Sequence, residues 1–189
     1  MPPTSKEFQR LVREIVAPAL AAIGFTRPRG VGMGGWVRAE GNSWSVVWVQ
    51  LSRANYGDTP EGYLFTVEVQ LGEEPIAGSA RSRARLYGLL TDAERDEHLQ
   101  IHNVVAGKAR PRPAMLGDPT TGEMDWYLSA FRPRTEPFDQ ILDVWFRYTD
   151  EEDARRWLDF VARVLPGAVD RFVAAVTADT AESGDPEVG

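Results

Sequence analysis

The chain has 189 residues, of which 43% are hydrophobic, and it carries a formal net charge of -7 with no cysteine. This length and composition suit one compact domain with a sizeable core, and the lack of cysteine excludes disulfides, thiolate catalysis and cysteine metal sites. The acidic balance argues against general binding to nucleic acid or to an anionic membrane.

An amphipathic helix is predicted near the start of the chain. Its apolar residues recur at intervals of three and four, which is the spacing of one buried helical face. Thr4 and Glu7 have the spacing of a capping box, and Gly24 suits the end of the helix, where positive φ is common. Pro18 lacks a backbone donor and predicts a kink or a division into two short helices.

Three strand-like segments follow this helix. Residues 35–40 form a short candidate, and Gly41-Asn42 predicts a tight hairpin turn after it. Residues 43–52 are apolar on both alternating faces, which predicts a central strand covered on both sides. Residues 62–71 alternate cleanly and predict one buried face and one wetter face, the latter with Thr66, Glu68 and Gln70.

The order of motifs in this first third of the chain carries a family resemblance. A helix with Pro-Ala-Leu is followed by Gly-Phe, an aromatic residue with a following arginine, an apolar strand ending in Val-Gln, and Phe-Thr-Val-Glu-Val. The matching residues are Pro18, Leu20, Gly24, Phe25, Trp36, Arg38, Val49, Gln50, Phe65, Thr66 and Val67. This order resembles an uncharacterised bacterial family, domain of unknown function 4304, and Asp125-Trp126 with the closing helices resembles its second half more loosely. The resemblance implies an α+β fold and a bacterial cytosolic setting, and it implies no reaction.

Three arginines at alternate positions follow a linker-like stretch at residues 73–79. Arg81, Arg83 and Arg85 share a face if the segment is a strand and spread apart if it is a helix. On a strand they form a candidate site that could bind phosphate or carboxylate bidentately. The alternative is an exposed strand face whose arginines pair with acids across the sheet.

The two histidines lie four residues apart on a predicted polar helix, which opens with capping-box spacing at Thr91 and Glu94. At this spacing His98 and His102 can reach one metal ion, with Glu94 as a third ligand. The metalloprotease pattern needs glutamate at the second position, where Leu99 stands. The favoured alternative is a solvated helix face, so both histidines are weak metal candidates, and no metal or cofactor is predicted.

The last part of the chain predicts two further strands and two helices. The strand candidates are residues 125–131 and 141–148. Thr149 and Glu152 have capping-box spacing, with acids in the first turn where the helix dipole favours them. Pro166 is predicted to end this helix and to begin the next one.

These elements predict a single α+β domain over residues 1–178. Its antiparallel sheet has about five strands, with the N-terminal and C-terminal helices packed mainly on one face. Residues 179–189 contain four acids among small residues and are predicted to be a disordered acidic tail.

A glycine motif in the first third matches the dinucleotide-binding pattern by spacing alone. Gly30, Gly32 and Gly35 fit Gly-x-Gly-x-x-Gly. That motif works when a strand precedes it and a helix follows, so that the helix N-terminus faces the pyrophosphate. Here the order is reversed, and the glycines are interpreted as a hairpin-entry loop.

The tryptophans supply a candidate interface. Trp44 and Trp48 alternate on the predicted central strand and are interpreted as core residues. Trp36 begins a strand and Trp126 follows a glycine-containing turn, so both are predicted to be more exposed. With Arg38 they form a candidate binding surface, because aromatic residues and arginine are typical of interface centres. Core packing is the favoured alternative.

No sequence pattern predicts a reaction. No Gly-x-Ser-x-Gly segment is present, no apolar run approaches the roughly 20 residues of a membrane span, and no basic-then-apolar signal peptide is seen. The expectation is a non-catalytic protein-binding module of the bacterial cytoplasm, such as an immunity-type inhibitor that occludes a toxin. The alternative is a small-ligand (anionic) binding protein or an enzyme with an arginine-lined cleft, and a third possibility is a structural or oligomer-forming protein.

Overall fold

The computed structural model describes residues 2–28, 35–51, 63–80, 82–108, 133–139 and 144–182. Helices from both ends of the chain pack against an antiparallel sheet of five strands, which confirms the predicted α+β class. In chain order the elements are α1 (Ser5–Ala22), β1 (Gly35–Glu40), β2 (Ser43–Leu51), β3 (Tyr63–Gly72), β4 (Ser82–Arg85), a 3-10 helix (Leu86–Leu89), α2 (Asp92–Lys108), β5 (Phe146–Tyr148) and α3 (Glu151–Glu182).

The third strand organises the sheet. The strand order is β1-β2-β3-β4, and β5 also pairs with β3. One edge of β3 pairs with β2, while its other edge pairs with β4 at residues 68–71 and with β5 at residues 63–65. The predicted hairpin between β1 and β2 is confirmed, with Gly41 at positive φ in its turn. The interior position predicted for β2 is also confirmed.

The two faces of the sheet differ in chemistry. The first face is apolar and packs on the helices through Trp36, Val47, Val49, Phe65, Val67 and Val69. Aromatic rings join this face to the helices, as where Phe8 of α1 stacks on Tyr148 at 4.8 Å between centroids. The second face carries the polar residues of β3. Thr66, Glu68 and Gln70 are all buried, so the predicted wetter face is wrong, because these side chains bond to other parts of the protein.

The first helix begins and ends as its sequence predicts. Thr4 and Glu7 form a complete capping box. At the other end Gly24 has a φ of 86°, and the N–H of Phe25 donates to the carbonyl of Leu20, which is a Schellman ending. The helix is continuous through Pro18 and is not divided.

The last helix departs from its prediction. It is one helix from Glu151 to Glu182, so the predicted break at Pro166 is wrong. Proline removes one backbone hydrogen bond, whereas buried apolar side chains on both sides of it, such as Leu165 and Val169, hold the helix against the core. The helix also continues four residues beyond residue 178, to Glu182; residues 183–189 lie outside the described ranges.

The start of this helix is capped one residue later than predicted. The N–H of Asp153 donates to Oδ1 of Asp150 at 2.8 Å, so Asp150 takes the capping role assigned to Thr149. The carboxylate of Asp153 in turn accepts from the N–H of Thr149 at 3.1 Å and from Lys108 Nζ at 2.7 Å. Burial raises the pKa of Asp153, but the hydrogen bonds from Lys108 and Thr149 outweigh it and lower the pKa.

Two strand predictions have different outcomes. Of residues 141–148, only Phe146–Tyr148 forms a strand, residues 144 and 145 are irregular, and residues 141–143 lie outside the described ranges. Residues 125–131 lie outside them entirely. Among the helices that are described, none has the length and apolar character needed to cross a bilayer.

Candidate functional site: the second face of the sheet

Tryptophan and arginine side chains line the second face of the sheet. They come from β2, from β4 and from the residue before β5, and we call them the tryptophan–arginine face. Its members are Trp44, Trp48, Arg83, Arg85 and Trp145. Arg83 is exposed and the other four are half-buried. Because strand register aligns Trp48 with Glu68 and Glu68 with Arg85, the face runs across three neighbouring strands.

A buried carboxylate lies at the centre of this face. Glu68 is 5% exposed, and its Oε2 lies 3.2 Å from Nη1 of Arg85. Nε2 of Gln70 donates to its Oε1 at 2.5 Å, and Nε2 of Gln50 donates to its Oε2 at 3.4 Å. A buried charge needs such partners because desolvation otherwise disfavours it strongly. Glu68 therefore holds the guanidinium of Arg85 and the side-chain amides of Gln50 and Gln70 in position.

The two described arginines of the predicted anion site have different surroundings. Arg83 and Arg85 lie on one strand face, as predicted for a strand. Arg85 pairs with Glu68 across the sheet and lies over the ring of Trp145, 5.5 Å from its centroid, with 26% of its side chain exposed. Arg83 is aligned with Gln70 and is exposed. Arg81 lies outside the described residues.

The favoured core interpretation is confirmed for Trp36 and is wrong for Trp44 and Trp48. Trp36 is only 4% exposed and belongs to the core, so its predicted exposure is wrong and the core alternative holds. Trp44 and Trp48, interpreted as core residues, are half-buried on the second face. The reason is strand register, since β1 and β2 turn these side chains to opposite sides. Trp126 lies outside the described residues.

Arg38 completes the end of the first helix and does not form a surface with Trp36. Its Nη1 donates to the carbonyl of Ile23 at 3.2 Å, and its guanidinium lies 5.0 Å from the ring centroid of Phe25. Its Nε also pairs with Glu40 at 2.5 Å. The hydrogen bond to Ile23 satisfies a carbonyl that the end of α1 leaves without a partner in the helix. Arg38 therefore has a structural role at the end of this helix.

Both histidines are buried and not solvated. His98 is 1% exposed, and its ring lies within 5 Å of the Tyr87 and Trp157 centroids, at 4.8 and 4.9 Å. Burial, and to a lesser degree the nearby His102, lowers its pKa from 6.5 to about 3. Its two ring nitrogens make no hydrogen bond within the described part of the chain. The predicted solvated helix face is therefore wrong.

Glu94, the third residue of the predicted metal set, is engaged elsewhere. Its Oε2 accepts from the N–H of Thr91 at 2.7 Å, which confirms the predicted capping interaction, and from Nη2 of Arg171 at 2.8 Å. In the ranges that are described, no three histidine, aspartate or glutamate residues are grouped as a metal would need.

A loop between β3 and β4 covers part of the second face. It comprises residues 73–80, and we call it the strap. The N–H of Gly78 donates to Oε1 of Gln70 at 2.8 Å, and a methyl group placed on Gly78 would lie 3.8 Å from the ring of Trp48. The strap and the end of β3 border a cavity of about 340 Å³, which is lined by Leu71, Gly72, Glu73, Glu74, Ser79 and Ala80.

Sequence reasoning missed the centre of this site. Gln50, Glu68 and Gln70 were visible only as polar positions of two strands, and Trp145 as part of a strand candidate. One signal was available in the sequence. Glu68 lies in a predicted strand, the next candidate strand along the chain carries alternate arginines, and opposite charges often pair across neighbouring strands. The glycine motif gave no such signal: Gly35 opens β1, while Gly30 and Gly32 lie outside the described residues.

Comparisons with known proteins add no relative. No protein-family model, no curated protein and no solved structure matches the chain. The function must therefore be argued from the second face itself.

Proposed function

We propose that this protein is a non-catalytic protein-binding module and that the tryptophan–arginine face is its binding surface. The observation that carries the proposal is the presence of three half-buried tryptophans with two arginines on one face of a sheet. Tryptophan and arginine are the residues that most often dominate binding energy at interface centres. A sheet backed by a helical core also holds such residues in place without an entropic cost of ordering a loop.

The surroundings of Glu68 support binding over catalysis. A general acid or base must be able to exchange a proton with a reacting group. The Glu68 carboxylate instead contacts Arg85, Gln70 and Gln50, which suits a role in holding the arginine for a partner. Charge-assisted contacts of this kind are strong and geometrically specific.

An anionic small-ligand site, or an enzyme using an arginine-lined cleft, is the second candidate. It is favoured by the convergence of Arg85 with a buried carboxylate and an aromatic ring. Calorimetric titration with inorganic phosphate and with a dicarboxylate would test it. Saturable binding that is lost in Arg85→Ala would replace the protein-binding proposal with this one.

We further propose that the protein belongs to the domain-of-unknown-function family 4304 and acts in the bacterial cytoplasm. The support is the order of motifs from Pro18 to Val67. An immunity-type inhibitor that occludes a toxin is one specific form of the binding proposal. A toxin gene beside the gene for this chain would support that form, and a metabolic operon there would contradict it.

The test is affinity capture from a lysate of the source organism, followed by mass spectrometry of the retained proteins. We expect a partner that the unaltered chain retains and that a Trp48→Ala, Arg85→Ala double variant loses. Loss of a hot-spot residue weakens binding by about 2 kcal/mol or more, which is about thirtyfold.

The matched control is Arg10→Ala, because Arg10 is an exposed arginine on α1, away from the second face. This variant should retain the partner. Repeated capture that yields no partner, or a partner retained equally by the double variant, would contradict the proposal.

A further inference from the structure

We infer that the strap is a latched cover, and that its opening regulates access to the tryptophan–arginine face. The regulatory part rests on the proposed function, whereas the latched cover does not.

The strap lies across the second face and not beside it. Its Ala77 reaches β1, since a methyl group placed on Gly35 would lie 3.8 Å from Cβ of Ala77 and 3.4 Å from Cγ1 of Val46. Its Gly78 lies against Trp48 of β2 and bonds to Gln70 of β3. A loop that begins at the end of β3 therefore reaches over three strands.

The attachment of the strap to the sheet is slight. Within the described residues, one hydrogen bond joins them, from the N–H of Gly78 to Oε1 of Gln70. The other hydrogen bonds of the strap are internal, from Ser79 to the carbonyl of Ile76. Among the described residues, none of the strap belongs to the hydrophobic core between the sheet and the helices, and none packs against that core. Segments with few buried apolar contacts are those that open locally while the rest of the fold stays intact.

We call the hydrogen bond from Gly78 to Gln70 the latch. Its acceptor, the side-chain amide of Gln70, is held in a fixed orientation. Gln70 is buried, its Nε2 donates to Glu68, and its Oε1 accepts from Gly78 of the strap, so both ends of its amide are bonded. Glu68 also pairs with Arg85, which lies over Trp145. The latch is thus built from the same network that positions the binding arginine, and a partner that repositions Arg85 would disturb the latch as well.

The backbone of the strap requires a glycine at the same point. Gly78 has a φ of 87°, a conformation that residues with a Cβ adopt only at a cost. The space beside it is open, because a methyl group there would make only an ordinary contact with Trp48. Gly78→Ala should therefore weaken the closed strap through the backbone without disturbing the sheet.

The absence of cysteine allows a direct test with single thiol reporters. Val46 and Val47 are neighbours on β2, exposed by 1% and 0%, and face opposite sides of the sheet. In Val46→Cys the thiol lies on the face that the strap covers, whereas in Val47→Cys it lies in the core. The reaction rate of each thiol with a disulfide reagent is compared with its rate in the unfolded chain. The thiol at position 46 reports opening of the strap, and the thiol at position 47 reports unfolding of the whole domain.

We expect the thiol of Val46→Cys to react faster than that of Val47→Cys in otherwise unaltered protein. Adding Gln70→Leu to the Val46→Cys protein should raise the reaction rate of the thiol by about two- to tenfold, because the closed strap then loses one hydrogen bond. Adding Gly78→Ala to the Val46→Cys protein should raise the same rate by about five- to thirtyfold, because alanine disfavours the positive φ of residue 78. The Val47→Cys rate should stay unchanged with Gly78→Ala, and this variant keeps the test decisive if Gln70→Leu fails to fold.

Equal rates for both thiols in all backgrounds would overturn the latched cover, because the strap would then open only with the whole fold. The regulatory part has its own readout. If capture yields a partner, Gly78→Ala should retain more of it than the unaltered chain, and an unchanged amount would overturn the regulation. Failure to capture any partner contradicts the proposed function alone, since the thiol rates need no partner.

Discussion

At the scale of single residues, burial changes the chemistry of side chains that the sequence presents as polar. His98 lies among the rings of Tyr87, Phe138, Phe146, Trp157 and Phe160, with His102 stacked beside it. In such surroundings a charged imidazolium would lose its hydration without gaining a partner, so the neutral form is favoured.

This enclosure predicts acid-sensitive stability. The pKa of His98 is lowered from 6.5 to about 3 in the folded state, so the unfolded chain binds the proton first. The contribution of neutral His98 is therefore fully present above pH 6.5 and is lost as the pH falls toward 3, by about 1.4 kcal/mol per pH unit.

Urea unfolding at several pH values measures this effect. His98→Leu removes the titrating group, and the free energy of unfolding should then fall less steeply with decreasing pH than in the unaltered chain. Above pH 7 the difference between the two proteins should be constant. Equal slopes for both proteins below pH 6.5 would contradict the prediction.

At the scale of elements, short sequence signals specify where helices begin and end. Thr4 and Glu7 start α1, and Gly24 ends it with positive φ. These signals act within a few residues, and the structure confirms both. Pro166 is a signal of the same kind, yet α3 continues through it, because burial on both sides of the proline outweighs one missing hydrogen bond.

The end of the first helix yields a prediction with an internal control. Gly24→Ala should lower the free energy of unfolding by about 1 to 2 kcal/mol, because alanine disfavours the φ that Gly24 adopts. Gly107→Ala should raise stability slightly, by up to about 1 kcal/mol, because Gly107 lies in α2 with open space around its Cα. Thermal and urea unfolding distinguish the two, and a similar loss in both variants would contradict the explanation.

At the scale of the whole molecule, long-range contacts join the two ends of the chain on the apolar face of the sheet. The sheet lies between the first and last helices in sequence, and α1 packs on α3 across this distance. The end of α2 meets the start of α3 where Lys108 Nζ donates to the buried carboxylate of Asp153. Lys108 Nζ also lies 3.5 Å from Asp150 and 4.0 Å from Glu152, but of these three carboxylates only that of Asp153 is fully buried.

Removing the carboxylate at this junction should destabilise the whole fold. We expect Asp153→Ala to lower the free energy of unfolding by about 2 to 4 kcal/mol, because Lys108 and Thr149 lose a buried partner. The matched control is Glu151→Ala, whose side chain is 52% exposed and pairs with Arg155 and not with Lys108, and which should change stability by less than about 0.5 kcal/mol. Urea midpoints measure both, and equal effects would contradict a structural role for Asp153.

The sequence by itself determined the α+β class, the antiparallel hairpin of β1 and β2, and the caps of α1 and α2. These follow from hydrophobic periodicity and from residues that act on neighbours three or four positions away. Only the tertiary structure decided that Glu68 and Gln70 are buried, that Trp48 and not Trp36 faces the second side, and that His98 is enclosed by aromatic rings. The physical reason is distance along the chain. Burial depends on partners such as Val144 for Thr66, 78 residues away, and Phe138 for Tyr87, 51 residues away, which local patterns do not identify.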